Sequence, residues 1–375
     1  MTQPRIACVF EHPTISGGER SCLAVIDRLS SEEFEFQAFA PGTGPLRNVL
    51  MASAIPTHSF ERVRKSKDQA SPAERTAGVL ASMVRADLIH GNSLSTAQFT
   101  GLAAKMLGVA SVAHVREIEG LNPTRVSRIN KHDKLIAVSD AVRNHLIREG
   151  VDADRIETIY NGVDLESLHP DRISGTIRAE LNLPGDAPLI AVVGQISLRK
   201  ATDVFVEVAC RLAKQHCDLH ALVVGERFSS KTESVELERR AKERVLSEGL
   251  AARVHFLGWR NDVPTILRDL DILVHTAREE PLGRVLLEAS ALAVPIVATR
   301  VGGTPEIIEH EQSGWLVPAD DVAALEEQVN WLLEQPSERD RAALAARRRA
   351  ETLFCAQRCA RQTADLYHRI LQDYK

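Results

Sequence analysis

Six cysteines occur, but no C-x-x-C pair, so the common spacing of zinc and dithiol frameworks is missing. Cys355 and Cys359 stand one helical turn apart, and Cys8, Cys22, Cys210 and Cys217 lie in apolar or helical contexts. All six are expected to be reduced core thiols. No apolar run approaches the roughly 18 residues of a membrane span. The opening "RIACVF" lacks a basic region ahead of a long apolar segment, which argues against a secretory signal and for a cytoplasmic address. No sign of charge dominates: a net charge of -5 gives no general pull toward nucleic acid or an anionic membrane, so any such contact must be local. No Asp-x-Asp pair is placed to hold a metal. Asp152 and Asp154 read as a helix start, and Asp269 and Asp271 directly precede a strand.

What is present is ordinary globular composition, 44% hydrophobic and 26% charged, over 375 residues. At about 100–200 residues per domain, that length predicts two domains. Short apolar runs alternate with helical patterns, the sign of βαβ units and parallel sheets. The strand candidates are "RIACVF", "FEFQAFA", "DLIHGN", "SVAHVRE" and "KLIAVS", then "PLIAVVG", "HALVVGE", "VHFLG", "DILVHT", "PIVAT" and "GWLVP". The pattern restarts after "IYNGVDLESLHPDRISG", whose Asn161-Gly162, Pro170 and Gly175 mark a link. The fold class is therefore α/β, with two Rossmann-like domains whose parallel sheets face a central cleft. Ligands of such sheets bind at the carboxyl ends of the strands.

The residues at those ends carry the chemistry. Ser16-Gly17-Gly18-Glu19 opens a helix after the first strand, where bare backbone amides can approach a ligand. Arg199 and Lys200 follow "PLIAVVG" and can neutralise phosphate. Gly302-Gly303 precede Thr304 as an expected N-cap and Pro305 as the first helical residue. In "EEPLGRVLLEAS", Pro281 is expected to start a helix reaching about Ala293, with the amides of Leu282 and Gly283 at an anion-binding N-terminus, Glu280 at its lip and Glu288 two turns deeper. Two simpler readings stand beside this: Glu288 pairing with Arg284 one turn earlier, and a glycoside hydrolase using both acids. The neighbouring cations favour a phosphorylated donor. In the first half, Arg62, Arg64, Lys65 and Lys67 form a basic segment that is either a solvated charge run or a contact for an anionic membrane or lipid phosphate.

These blocks, from "SGGER" through "AVSDAV", "YNGVD", "VGQISLRK" and "FLGWRNDV" to "EEPLGRVLLEASALAVPIVATRVGGTPEII" and "SGWLV", resemble family 4 of the retaining glycosyltransferases, which have the GT-B fold. The resemblance covers nearly the whole chain. It implies an acceptor-binding domain over 1–166, a nucleotide-sugar domain over 167–355 and a C-terminal helix over 356–375 that crosses back. It implies that Glu280 faces the donor sugar, that Glu288 accepts from ribose hydroxyls, and that the amides of Leu282 and Gly283 together with Lys200 hold the diphosphate. Gly17 and Gly18 match the family's glycine loop, His114 a histidine near the reacting centre, and Trp259 and Arg260 the region that recognises the base. Where the family usually has arginine, this chain has Gln195, which makes Arg199 the candidate substitute.

The implied activity is hexosyl transfer with retention, from a UDP- or GDP-linked sugar to a glycan, lipid-linked or small-molecule acceptor. It would serve cell-surface polysaccharide or glycolipid synthesis, with no cofactor or metal, free in the cytoplasm or against the inner membrane face. The alternatives are an epimerase of the same fold and a catalytically silent nucleotide-sugar-binding module.

Overall fold

Strands such as "LIAVV", "ILVH" and "IVAT" are apolar at consecutive positions because helices cover both faces of a parallel sheet. In the computed structural model, which describes residues 3–29, 33–64 and 70–374, these runs are buried throughout. The chain divides into two compact units, Met1–Gly162 with Cys355–Lys375, and Val163–Phe354.

Among the described residues of the first unit, the strands are β1 (Arg5–Val9), β2 (Glu35–Ala40), β3 (Thr57–Ser59), β4 (Leu88–Gly91), β5 (Ala110–Val115), β6 (Lys134–Ala137) and β7 (Ile156–Thr158). They form one parallel sheet in the order β3-β2-β1-β4-β5-β6-β7. The second unit has β8 (Leu189–Val193), β9 (His220–Val224), β10 (Val254–Gly258), β11 (Ile272–His275), β12 (Ile296–Thr299) and β13 (Trp315–Val317). Their order, β10-β9-β8-β11-β12-β13, repeats the pattern of the first six strands. In each sheet the winding reverses beside the first strand, between β1 and β4 and between β8 and β11. Such a switch point opens a crevice at the carboxyl ends of the two strands.

Two strands escape the apolar-run rule. β3 and β7 lie at opposite edges of the first sheet, each is three residues long, and both are partly exposed. Further along, the helix Val322–Glu334 is capped by Asp321, and a second helix starts at Pro336. The cysteine reading needs one correction: all six thiols are free, but Cys217 is exposed and Cys355 is only half-buried. No helix among the described residues is long and apolar enough to cross a membrane.

The helix Ala356–Gln372 belongs to the first unit, where Cys359, Ala360, Leu366, Tyr367 and Ile370 pack into the core with Ile6, Val25 and Phe34. The two ends of the second unit are tied to each other, because the Val163 amide donates to the Phe354 carbonyl at 2.8 Å. Just before this pair, Gly162 passes so close to Cys355–Ala356 that a Cβ would stand 2.4 Å from Ala356 Cα.

Candidate functional site

The second unit's switch point is where the predicted residues meet. Lys200 lies in the loop after β8 and Glu280 in the loop after β11. Lys200 Nζ donates to Glu280 Oε2, and His275 Nε2 lies 2.9 Å from the same oxygen. The acid and the histidine are deeply placed, Glu280 5% exposed and His275 1%, while Lys200 is half-buried. Burial would push the Glu280 carboxyl up, but the Lys200 ammonium and the His275 hydrogen bond prevail and hold it well below the usual range. For His275 burial dominates, lowering its pKa against the opposing pull of Glu280. Glu280 is thus an ionised carboxylate that can accept hydroxyl protons in hydrogen bonds and face positive charge, but has no proton to give.

The two loops are laced together. Thr276 Oγ1 donates to the carbonyls of Lys200 and Ala201, each at 3.0 Å, and the Arg278 amide donates to the Arg199 carbonyl at 2.8 Å. Arg199 itself is exposed, with Nη1 donating to the Glu279 carbonyl at 3.1 Å, one residue from the acid. Gln195 is half-buried just past Gly194.

A third loop supports Glu280 from below. The Gly303 amide donates to the Glu280 carbonyl at 2.9 Å, and Gly302, at φ +49°, lies so near that a Cβ would stand 1.9 Å from that oxygen. These glycines let one backbone pack on another. Thr304 is not the N-cap of the following helix: that place falls to Gly303, and Thr304 is its first residue.

The helix after Glu280 also needs correction. It runs Arg284–Ala291, not from Pro281, because Gly283 adopts φ 105° and ψ 77°, a left-handed conformation no helix contains. Pro281 and Leu282 form a bend, and Leu282 is 2% exposed. The helix N-terminus therefore begins at Gly283, and Glu288 sits just over one turn inside. Glu288 Oε1 accepts from Arg284 Nε at 2.8 Å, the i,i+4 pairing that the spacing also allowed.

Elsewhere the predicted residues are less concentrated. Trp259 is 53% exposed after β10. Arg260 spends its guanidinium on Glu180, by two bonds of 2.7 Å, and on Asp262, which leaves its backbone for any ligand. In the first unit, Gly17 opens the helix Gly17–Leu29, and a Cβ on Gly18 would lie 3.1 Å from Arg116 Cδ. His114 is buried near the end of β5, next to Arg116. Arg62 is engaged by Glu11 and Ser95 at 3.1 and 2.8 Å and Arg64 is exposed, while Lys65 and Lys67 lie outside the described residues.

Sequence reasoning missed His275 and Thr276. Their only signal was two polar residues closing the apolar strand "DILVHT".

The Asp-x-Asp acids of the second half are committed to structure: Asp269 accepts from the Arg178 amide at 3.0 Å. Asp271 accepts from Arg178 at 2.9 Å, Arg339 at 3.2 Å and the Leu189 amide at 2.8 Å. No cluster of potential metal ligands occurs among the described residues. Asp271→Ala is expected to cost about 2–3 kcal/mol, since it takes a charged acceptor from two half-buried guanidinium groups and from the Leu189 amide. Urea denaturation measures this, and an unchanged midpoint would show the tie to be idle.

Comparison with known proteins matches this architecture twice. The family model for Glycosyltransferase Family 4 matches residues 15–167, and that for Glycosyl transferases group 1 matches 174–349. The chain is 30% identical to a D-inositol 3-phosphate glycosyltransferase of Salinispora tropica over 333 residues, 80% of this chain and 68% of that protein. It is 25% identical to the UDP-Gal:alpha-D-GlcNAc-diphosphoundecaprenol alpha-1,3-galactosyltransferase of Escherichia coli over 342 residues, 85% of each chain. Among solved structures, Anabaena Alr3699/HepE in complex with UDP and glucose superposes with a TM-score of 0.83 at 21% identity, covering 98% of this chain and all of that one. A glycosyltransferase from Rickettsia africae reaches 0.87 at 21% identity over the full length of both. Two parallel-sheet Rossmann-like units in this order constitute the GT-B fold. The chain belongs to the family 4, group 1 glycosyltransferases.

Proposed function

We propose that the protein is a retaining, metal-independent hexosyltransferase that moves a sugar from a nucleoside-diphosphate donor to a glycan, lipid-linked or small-molecule acceptor. The observation that carries this reading is the Lys200–Glu280–His275 constellation at the switch point of the second sheet.

Transfer needs stabilisation of a leaving diphosphate and of positive charge developing on the sugar ring. Lys200 has further N–H groups beyond the one given to Glu280, and the helix start at Gly283 lies against Glu280, where a Cβ would stand 3.3 Å from Glu280 Cγ. Together they suit a diphosphate. The ionised Glu280 suits the sugar, where it orients hydroxyls and faces the cationic ring. Retention would follow from attack on the face that the diphosphate leaves, with a phosphate oxygen taking the acceptor's proton. A UDP-linked sugar is the first donor to test, since UDP and UDP-glucose occupy the Anabaena protein and UDP-Gal names the E. coli relative.

The test is nucleotide release from a panel of UDP- and GDP-sugars, with and without glycan and lipid-linked acceptors and with a chelator. Acceptor-dependent, chelator-insensitive release is expected. Conversion of the donor without acceptor would instead make the protein an epimerase, and binding without turnover a silent module. Lys200→Ala should weaken UDP binding by about 10–100-fold by calorimetry. Unchanged affinity would remove Lys200 from the phosphate site.

A further inference from the structure

A second polar constellation lies inside the first unit, at the carboxyl ends of β4 and β5. Arg116 Nη2 lies 2.9 Å from His114 Nδ1. A guanidinium has only N–H groups to offer, so Nδ1 must be the accepting lone pair and the ring proton must sit on Nε2. We propose that Arg116 is a positioning residue that locks His114 in the Nε2–H tautomer, so that His114 presents a hydrogen-bond donor, not a base, to an oxygen of a substrate bound at these strand ends. The proposal rests on the transferase reading above and assigns this histidine a defined protonation state within it.

Three observations support the arrangement. First, Nε2 of His114 is buried and has no partner among the described residues, while the ring is 3% exposed. A donor held dry and unpaired is an unfinished hydrogen bond, which an incoming oxygen completes. Second, Arg116 is itself clamped. Its Nη1 donates to Asn161 Oδ1 at 2.6 Å and its Nη2 also donates to Asn92 Oδ1 at 3.1 Å. Gly18 packs on its stem, where any side chain would press on Cδ. Third, these partners are neutral, and no carboxylate among the described residues forms an ion pair with Arg116. Its charge therefore opposes a second proton on His114, alongside burial, which is the larger effect.

The remaining groups nearby do not reverse this. His90, with its ring centre 5.9 Å from that of His114, is held neutral by burial and by Arg116, its pKa pushed down to about 3. Its Nδ1 is engaged by the Tyr367 hydroxyl. Glu117, Glu19, Cys22 and Cys359 surround Arg116 and favour its charge, and burial outweighs them without discharging it.

Long-range proton–nitrogen correlation spectra of protein carrying 15N-histidine read the tautomer directly. His114→Asn assigns the signals. In the parent protein His114 should show the Nε2–H pattern, unchanged from about pH 5.5 to 8.5. In Arg116→Met the ring, still kept neutral by burial, should become a mixture of the two tautomers, and kcat should fall by about tenfold or more with KM changed by less than about threefold. Arg116→Lys, which keeps one donor and the charge, should recover part of both. A parent His114 that titrates near its ordinary value, or carries its proton on Nδ1, overturns the proposal without any variant having to fold. So does Arg116→Met with an unaltered ring and kcat. The spectra need no substrate, so a failure here is separate from a failure to find a sugar donor.

Discussion

Glu280→Gln is expected to lower sugar transfer by about 10²–10³-fold while changing UDP affinity by less than about threefold. Glutamine keeps the shape of the side chain and can still accept from Lys200 and His275, but it brings no charge to a ring that becomes cationic in the transition state. The loss therefore falls on turnover and spares the ground state. Steady-state kinetics with calorimetry separates the two, and equal kcat in parent and variant would remove Glu280 from the reaction. The same variant has a pH signature. Because the folded protein holds Glu280 below its unfolded pKa of about 4.3, its ionisation contributes stability that is present above that value and lost as pH falls through the depressed folded one. The stability difference between parent and variant should accordingly shift toward the variant below about pH 4. Urea midpoints that moved in parallel across this range would contradict the assignment.

Gly302→Ala should be nearly as damaging, by a different route. A left-handed φ alone costs an alanine about 1 kcal/mol. At Gly302 the new methyl would also collide with the Glu280 carbonyl oxygen, 1.9 Å from its ideal position, so a loop must move. A total near 3 kcal/mol is expected. Turnover should fall as well, because the displaced peptide is the one that carries the acid. Gly108→Ala serves as the control: it has φ +67° and nothing within 4 Å of its Cβ, so it should show only the conformational cost. Similar losses in both variants would mean that the loop yields freely and does not support Glu280.

Central strands were legible because burial on both faces requires apolar residues at consecutive positions, as in "LIAVV". "THS" and "IET" at the sheet edges were not, because nothing requires a short, half-exposed edge to be apolar. At the site, the acid spacing and the cation after β8 could be read locally. The helix start could not, since Pro281 fits the first turn of a helix equally well and only Gly283's left-handed backbone decides the matter. His275 reads as one more strand residue until the Glu280 loop folds back on it. The same holds for Arg260, whose partner Glu180 is 80 residues away. The pairing of His114 and Arg116 was available in principle, because residues two apart along an extended chain share a face.

The tie between Val163 and Phe354 has a consequence for biosynthesis. The second unit is continuous in sequence and closes on itself, so all of it has been made once Phe354 has been added. The first unit begins earlier but finishes later: its core stays open beside Ile6 and Phe34 until Tyr367 and its neighbours arrive. Synthesis from the N-terminus thus reverses the order of completion. The half made first must wait, with apolar surface uncovered, for the last helix of the chain.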